Sequence, residues 1–190
     1  ARLGSGSACR SLFDGFVEWH RGNRDDGMDS YAEPLDLPWP AFRIATVTVS
    51  DAAKPIGSRA AMTRTRDTAR LYEAWPLQVA DDLMEIRSAI RDQAFDVLGR
   101  TAEANALAMH ATMIATRPPV VYWLPESLVL MRRVWNLREQ GLSLYFTMDA
   151  GPNLKLLFEA ADQEAVEAAF AGCEVIAPFD CCATRHGDCK

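Results

Sequence analysis

The chain is 190 residues long, 49% hydrophobic and 24% charged, with a formal charge of −6 and a pI near 5.1. That length supports one domain, two at most, with a core large enough to need no disulfide framework. The acidic balance excludes a general nucleic-acid binder, which would carry a basic face. With no apolar run of about eighteen residues and no apolar leader core, neither a membrane span nor secretion is expected, and the expected compartment is the cytoplasm. The sequence opens on Ala1 rather than methionine, already inside a motif, which reads as a fragment, a mature product or an incomplete reading of the gene.

The first element is Gly4-Ser5-Gly6-Ser7-Ala8-Cys9-Arg10-Ser11, running into a predicted helix. Glycines allow close backbone approach, serines donate O–H groups, the free amides of a helix start face negative charge, and a guanidinium closes the site. The expected guest is a phosphate or a carboxylate. The same Gly-Ser run is also what a flexible linker looks like, although no linker needs the continuation through Leu12-Phe13 and Phe16-Val17-Glu18-Trp19. Residues 21–40, with Pro34, Pro38 and Pro40, read as a polar connection. Arg43 to Val49 alternates as a half-buried strand, ended by Ser50-Asp51.

Gly57 to Arg70 is weakly helical and holds Arg59, Arg64, Arg66 and Arg70, a run that reads as a solvated helix face. Pro76 fits the first turn of the next helix, whose stripe Leu77, Ala80, Leu83, Met84, Arg87 and Ile90 is expected to face the core. After a break near Gln93, a second stripe through Phe95, Leu98, Ala102, Asn105, Met109 and Thr112 stops at Arg117-Pro118-Pro119. These two helices are expected to form an antiparallel hairpin. Val120 to Leu124 reads as a short extended piece, Pro125 to Gly141 as a further helix, and Leu142 to Thr147 and Leu154 to Phe158 as paired strands around the turn Asp149-Ala150-Gly151-Pro152-Asn153. A helix from Ala161 to Phe170 and a strand from Glu174 to Ala177 complete an α+β order, a mainly antiparallel sheet covered by helices on one face.

Five cysteines, Cys9, Cys173, Cys181, Cys182 and Cys189, favour free thiols in a reducing compartment. Cys181, Cys182, His186 and Cys189 match no common structural zinc spacing, so no metal site is expected there. His110 reads as a satisfied core histidine and is left out of the site, and Asn153 as a residue that could tie its turn to a neighbouring loop.

The run from Gly4 to Phe13 with Gly15-Phe16-Val17-Glu18-Trp19 resembles the signature of the diphosphomevalonate decarboxylase family, within the GHMP kinase superfamily. Asp149 to Asn153, preceded by Tyr145-Phe146-Thr147, resembles the family's catalytic aspartate motif. Val49-Ser50-Asp51 through Lys54 and Ser58 to Met62 resembles its middle serine motif more loosely. Arg59 stands where the family has threonine and Ala61 where it has glycine, which leaves open a related 3-hydroxy acid such as mevalonate monophosphate as the substrate.

The resemblance implies a ferredoxin-like C-terminal substrate domain over residues 1–178, followed by a Cys-rich tail at 179–190; the family's N-terminal half, with its nucleotide-phosphate loop, is not among these residues. It also implies ATP and Mg2+ as cofactors, a homodimer, and no nucleic-acid or membrane partner. Asp149 would orient or deprotonate the substrate's C3 hydroxyl. Arg10 would pair with the substrate carboxylate, and Ser5 and Ser7, with amides from Gly6 through Ala8 to Cys9, would receive its anionic groups. Ser58 would touch the substrate or the transferred phosphate. Two readings follow for the chain itself: the substrate half of such an enzyme, or a non-catalytic remnant that keeps the fold and an anion site.

Overall fold

The structure, a computed structural model, describes residues 6–179, in two compact units: residues 6–40 with 177–179, and residues 41–176. In the smaller unit a 3-10 helix spans Gly6–Leu12, strand β1 spans Val17–His20 and strand β2 spans Tyr31–Pro34. The helix expected after the Gly-Ser run is therefore seven residues of 3-10 turn; glycine and serine are poor α-helix formers, and a tighter short turn takes its place. Cys9 is buried in it.

The polar connection expected at 21–40 instead carries β2, paired antiparallel with β1 from Val17↔Pro34 to His20↔Tyr31. This hairpin is held by side chains more than by an apolar face. The Trp19 indole donates to Ser30 Oγ (2.9 Å), Ser30 Oγ donates to the His20 carbonyl (3.0 Å), and His20 stacks on Tyr31 at 4.6 Å. Asp29 closes the loop by accepting the amides of Asn23 and Arg24. Gly22 is required beside it, with φ +75° and space for a Cβ only 2.3 Å from Asp29 Oδ1.

In the larger unit, β3 (Phe42–Val47), β4 (Tyr145–Thr147), β5 (Leu154–Glu159) and β6 (Glu174–Ile176) form one sheet in the order β4-β5-β3-β6. Every pairing is antiparallel, and the order is that of a ferredoxin-like fold. Its helices are α1 (Ser58–Thr68), α2 (Trp75–Asp92), α3 (Phe95–Ile114), α4 (Pro125–Glu139) and α5 (Gln163–Ala169). The core gathers Phe146, Leu154, Leu156 and Phe158 from the sheet with Ala106, Met131, Val134 and Val166 from the helices. Each large side chain so buried contributes about 1.5–3 kcal/mol.

Helices α2 and α3 form the expected antiparallel hairpin. Asn105 donates to Asp82 and Thr101 to Glu85, both at 2.7 Å, and α2 ends where Gln93 turns left-handed at φ 50°. The stripe on α2 does not face the core: Leu77 is 72% and Met84 63% exposed, and only Ala89 and Ile90 are buried. Helical spacing identifies an apolar stripe but not what covers it, and α2 lies outside α3. Residues 120–124 form no strand and are tied instead by the Tyr122 hydroxyl donating to the Ile56 carbonyl (2.9 Å).

The buried face of α3 runs through Gly99, Glu103, Ala106, His110 and Met113. The Tyr145 ring lies against Gly99, where a Cβ would come within 2.1 Å of it. Glu103 accepts the Trp135 indole N–H (2.7 Å), two Arg138 guanidinium N–H groups (3.0 and 3.1 Å) and the Phe146 amide (3.4 Å). One carboxylate thus ties α3 to α4 and β4. Burial works against the Arg138 charge, yet its hydrogen bonds to the Glu103 carboxylate hold its pKa above the ordinary value.

Two outcomes follow for urea unfolding. Alanine in a helix interior is normally favoured over glycine by about 1 kcal/mol, but in Gly99→Ala the overlap with Tyr145 dominates and the variant loses about 1–3 kcal/mol; a variant as stable as the native chain contradicts the packing described. Glu103→Leu, which strips the Phe146 amide, the Trp135 indole and the Arg138 guanidinium of their shared acceptor, costs about 3–5 kcal/mol; a loss below about 1 kcal/mol contradicts the central role of Glu103.

Candidate functional site

The pairing of β4 with β5 ends at Thr147↔Lys155, leaving residues 148–153 to turn the chain. Met148 is buried, whereas the Asp149 side chain is 76% exposed. The Asp149 carbonyl accepts the Gly151 amide (2.7 Å), closing a tight turn before Pro152. From the start of α4, Ser127 Oγ donates to the Pro152 carbonyl (2.8 Å). Asn153 Oδ1 accepts the amides of Val49 (2.8 Å) and Ser50 (3.0 Å), and its Nδ2 donates to the Ser50 carbonyl (3.0 Å). That side chain extends the β3–β5 ladder by imitating another residue of backbone. It also ties the turn to the 50–57 loop, as the sequence allowed.

Two further groups reach the aspartate. His110 Nε2 lies 3.1 Å from the Asp149 carbonyl, and the Lys155 ammonium pairs with the Asp149 carboxylate. Burial holds the His110 imidazole below its ordinary pKa, and the Asp149 carbonyl and carboxylate pull it only part of the way back. The ring is neutral near pH 7. Because a carbonyl oxygen only accepts, the ring proton sits on Nε2. Trp123 packs against the ring at 5.2 Å and Tyr122 meets it edge-on at 6.4 Å. Lys54 lies 5.9 Å from the Tyr122 ring and beside Gly151, so a second ammonium flanks the turn. An exposed carboxylate on a fixed turn, bordered by two cations, suits a reaction that moves a proton beside anionic groups.

Ser58 begins α1, exposed like Arg59. The start of α1 and the Asp149 turn meet at one small apolar cluster, where Ile56, Met62 and Ala150 pack on Ala61, Met113, Val120 and Tyr122. Of the arginine run, Arg59, Arg66 and Arg70 are exposed, Arg64 is half-buried, and Arg66 pairs with Asp67 at 2.8 Å. Arg10 is exposed and Ala8 half-buried in the 3-10 helix of the smaller unit, with Gly6 and Ser7 at its start; Ser5 lies outside the described residues. Arg10 and Asp149 belong to different units. Cys181, Cys182, His186 and Cys189 also lie outside the described residues. Cys173 is a free thiol, and burial raises its pKa.

Sequence reasoning passed over three groups that frame the aspartate. His110 was assigned to the core alone. Lys155 carried a signal as the one cation in the strand Leu154–Glu159, but Ser127 carried none.

Residues 44–179 match the family described as Mevalonate 5-diphosphate decarboxylase C-terminal domain, and residues 1–32 match the Diphosphomevalonate decarboxylase-like N-terminal domain. The diphosphomevalonate decarboxylase of Bos taurus is 38% identical over 159 residues, covering 80% of this chain and 40% of that protein. The structure of MDDEF in complex with MVAPP, AMPPCP and magnesium superposes with a TM-score of 0.86 at 38% identity, covering 92% of this chain and 55% of that one. The mevalonate diphosphate decarboxylase from Staphylococcus aureus gives 0.84 at 37% identity, covering 93% and 56%. The chain thus spans about half the length, or less, of the relatives it matches. With these matches across a fold of the same kind, the chain belongs to the mevalonate 5-diphosphate decarboxylase family.

Proposed function

We propose that this chain forms the substrate side of an ATP-dependent diphosphomevalonate decarboxylase of the mevalonate route to isoprenoids. The observation that carries the reading is the Asp149 carboxylate, exposed at a hairpin tip whose backbone is fixed from α3, α4 and the 50–57 loop. Asp149 orients the substrate's C3 hydroxyl and takes up its proton as the oxygen bonds to the γ-phosphorus of ATP, whose bond to the β–γ bridging oxygen breaks to release ADP. The bond between the carboxylate carbon and C2 then breaks. Its electron pair becomes the C2=C3 double bond while the C3 phosphate leaves, giving carbon dioxide, inorganic phosphate and isopentenyl diphosphate.

Arg10 pairs with the departing carboxylate, where a planar guanidinium gives two parallel hydrogen bonds. Ser5, Ser7 and the amides from Gly6 to Cys9 receive the anionic end of the substrate, and Ser58 the transferred phosphate. The larger unit, residues 41–176, acts as the substrate domain. The cytoplasm and a homodimer belong to the same proposal. No helix among the described residues is long and apolar enough to cross a membrane.

A relative's structure is described as a complex with AMPPCP and magnesium. Among the described residues of this chain no three His, Cys, Asp or Glu side chains converge to hold a metal ion. Mg2+ asks for near-octahedral oxygen, part of it from phosphates. One or two carboxylates beside the phosphates of ATP suffice for Mg2+, which on this proposal enters with the nucleotide.

In the full-length protein, Asp149→Asn is expected to lower kcat by about 10²–10⁴-fold, while calorimetry gives diphosphomevalonate binding within about threefold of native. Turnover retained in that variant removes Asp149 from the chemistry.

A further inference from the structure

The inward face of α3 is apolar except for Glu103 and His110, two turns apart. Glu103 accepts the Phe146 amide and His110 meets the Asp149 carbonyl, so two contacts seven residues apart on the helix meet positions three apart on the strand and its turn. Seven residues of helix rise about 10 Å, and three of extended chain also span about 10 Å. The spacings agree, and α3 lies beside this segment with its register fixed at both ends. The second contact ends on the main chain of the residue that carries the exposed carboxylate.

His110 is only 1% exposed, and Trp123 and Tyr122 confine its ring. An imidazole that served packing alone would be replaceable by leucine. This one spends its single N–H on the Asp149 carbonyl, which already accepts the Gly151 amide. Two donors on one carbonyl fix that peptide plane more firmly than the turn's own bond does. The Gly151 bond remains when the histidine is lost, so the turn still forms, with Asp149 free to shift.

We infer that His110 is a positioning residue for the phosphorylation step: through its Nε2–H bond to the Asp149 carbonyl it fixes where the Asp149 carboxylate meets the substrate hydroxyl. This rests on the proposed role of Asp149. Burial keeps the ring neutral, so the donor stays in place across the neutral pH range. A group displaced by about 1 Å from its productive position costs about 10²-fold in rate. The loss falls on kcat rather than on substrate binding, because Asp149 touches the reacting oxygen and not the groups that carry most of the affinity.

The test uses the full-length enzyme with His110→Gln and His110→Asn. The glutamine amide reaches the place of Nε2, whereas the asparagine amide stops at the place of Nδ1. His110→Asn is expected to lower kcat about 10–100-fold with KM for diphosphomevalonate within about threefold, and His110→Gln to recover most of that loss. A folded His110→Asn at native kcat, or a glutamine variant that falls as far as asparagine, overturns the assignment. If His110→Asn does not fold, His110→Leu takes its place; if neither folds while His110→Gln is native, the residue is structural and the assignment fails. Asp149→Asn, assayed alongside, separates the two readings. Turnover retained there overturns the role of Asp149 itself, whereas an inactive Asp149→Asn beside a fully active His110→Asn overturns only the positioning role.

Discussion

A carboxylate in the middle of an apolar layer sets the arrangement of the larger unit. Glu103 accepts from Trp135, Arg138 and Phe146, and no apolar side chain could replace those contacts without leaving buried donors unsatisfied. Its directionality also fixes register. Hydrophobic contact between α3 and β4 would tolerate sliding, but a carboxylate bonded to one particular amide does not. Gly99, one turn before Glu103, lets the Tyr145 ring lie on the helix, and His110, two turns after it, reaches the turn that follows β4. One face of one helix therefore places the whole strand and the residue at its tip.

The site is a rigid turn presenting a mobile-looking group. The Asp149 side chain is largely exposed, yet its carbonyl is held by His110 and Gly151, and its neighbours by Ser127 and Asn153. Exposure keeps the carboxylate solvated and accessible to a substrate. The bonds beneath it remove conformational freedom that a bound ligand would otherwise have to order. Lys155 and Lys54 add positive charge around the turn in a chain whose formal charge is −6. Attraction for an anionic ligand is thus local rather than a property of the whole surface.

The sequence made the sheet legible because its signals are short-range. Alternation marked β3, and the Gly-Pro turn marked the β4–β5 hairpin and, with it, Asp149. Pro76 and Gly141 likewise punctuated the helices as their chemistry requires. Two misreadings had a common physical source. Helical spacing on α2 described an apolar stripe, but Leu77 and Met84 are exposed. The β1–β2 hairpin was hidden because its stability comes from Trp19, Ser30, His20 and Tyr31 meeting across a polar loop rather than from a period-two apolar face. His110 was assigned to the core on sound grounds, since it is buried. What one chain position could not reveal is a bond to a carbonyl 39 residues away.

On the proposed function, the Asp149 turn is built in advance to receive the substrate's tertiary hydroxyl. A crystal structure of the full-length protein with diphosphomevalonate bound tests this. The C3 hydroxyl is expected within about 2.6–3.2 Å of the Asp149 carboxylate, with the His110 bond to the Asp149 carbonyl unchanged. A substrate whose hydroxyl faces another group, with Asp149 left in solvent, would contradict it.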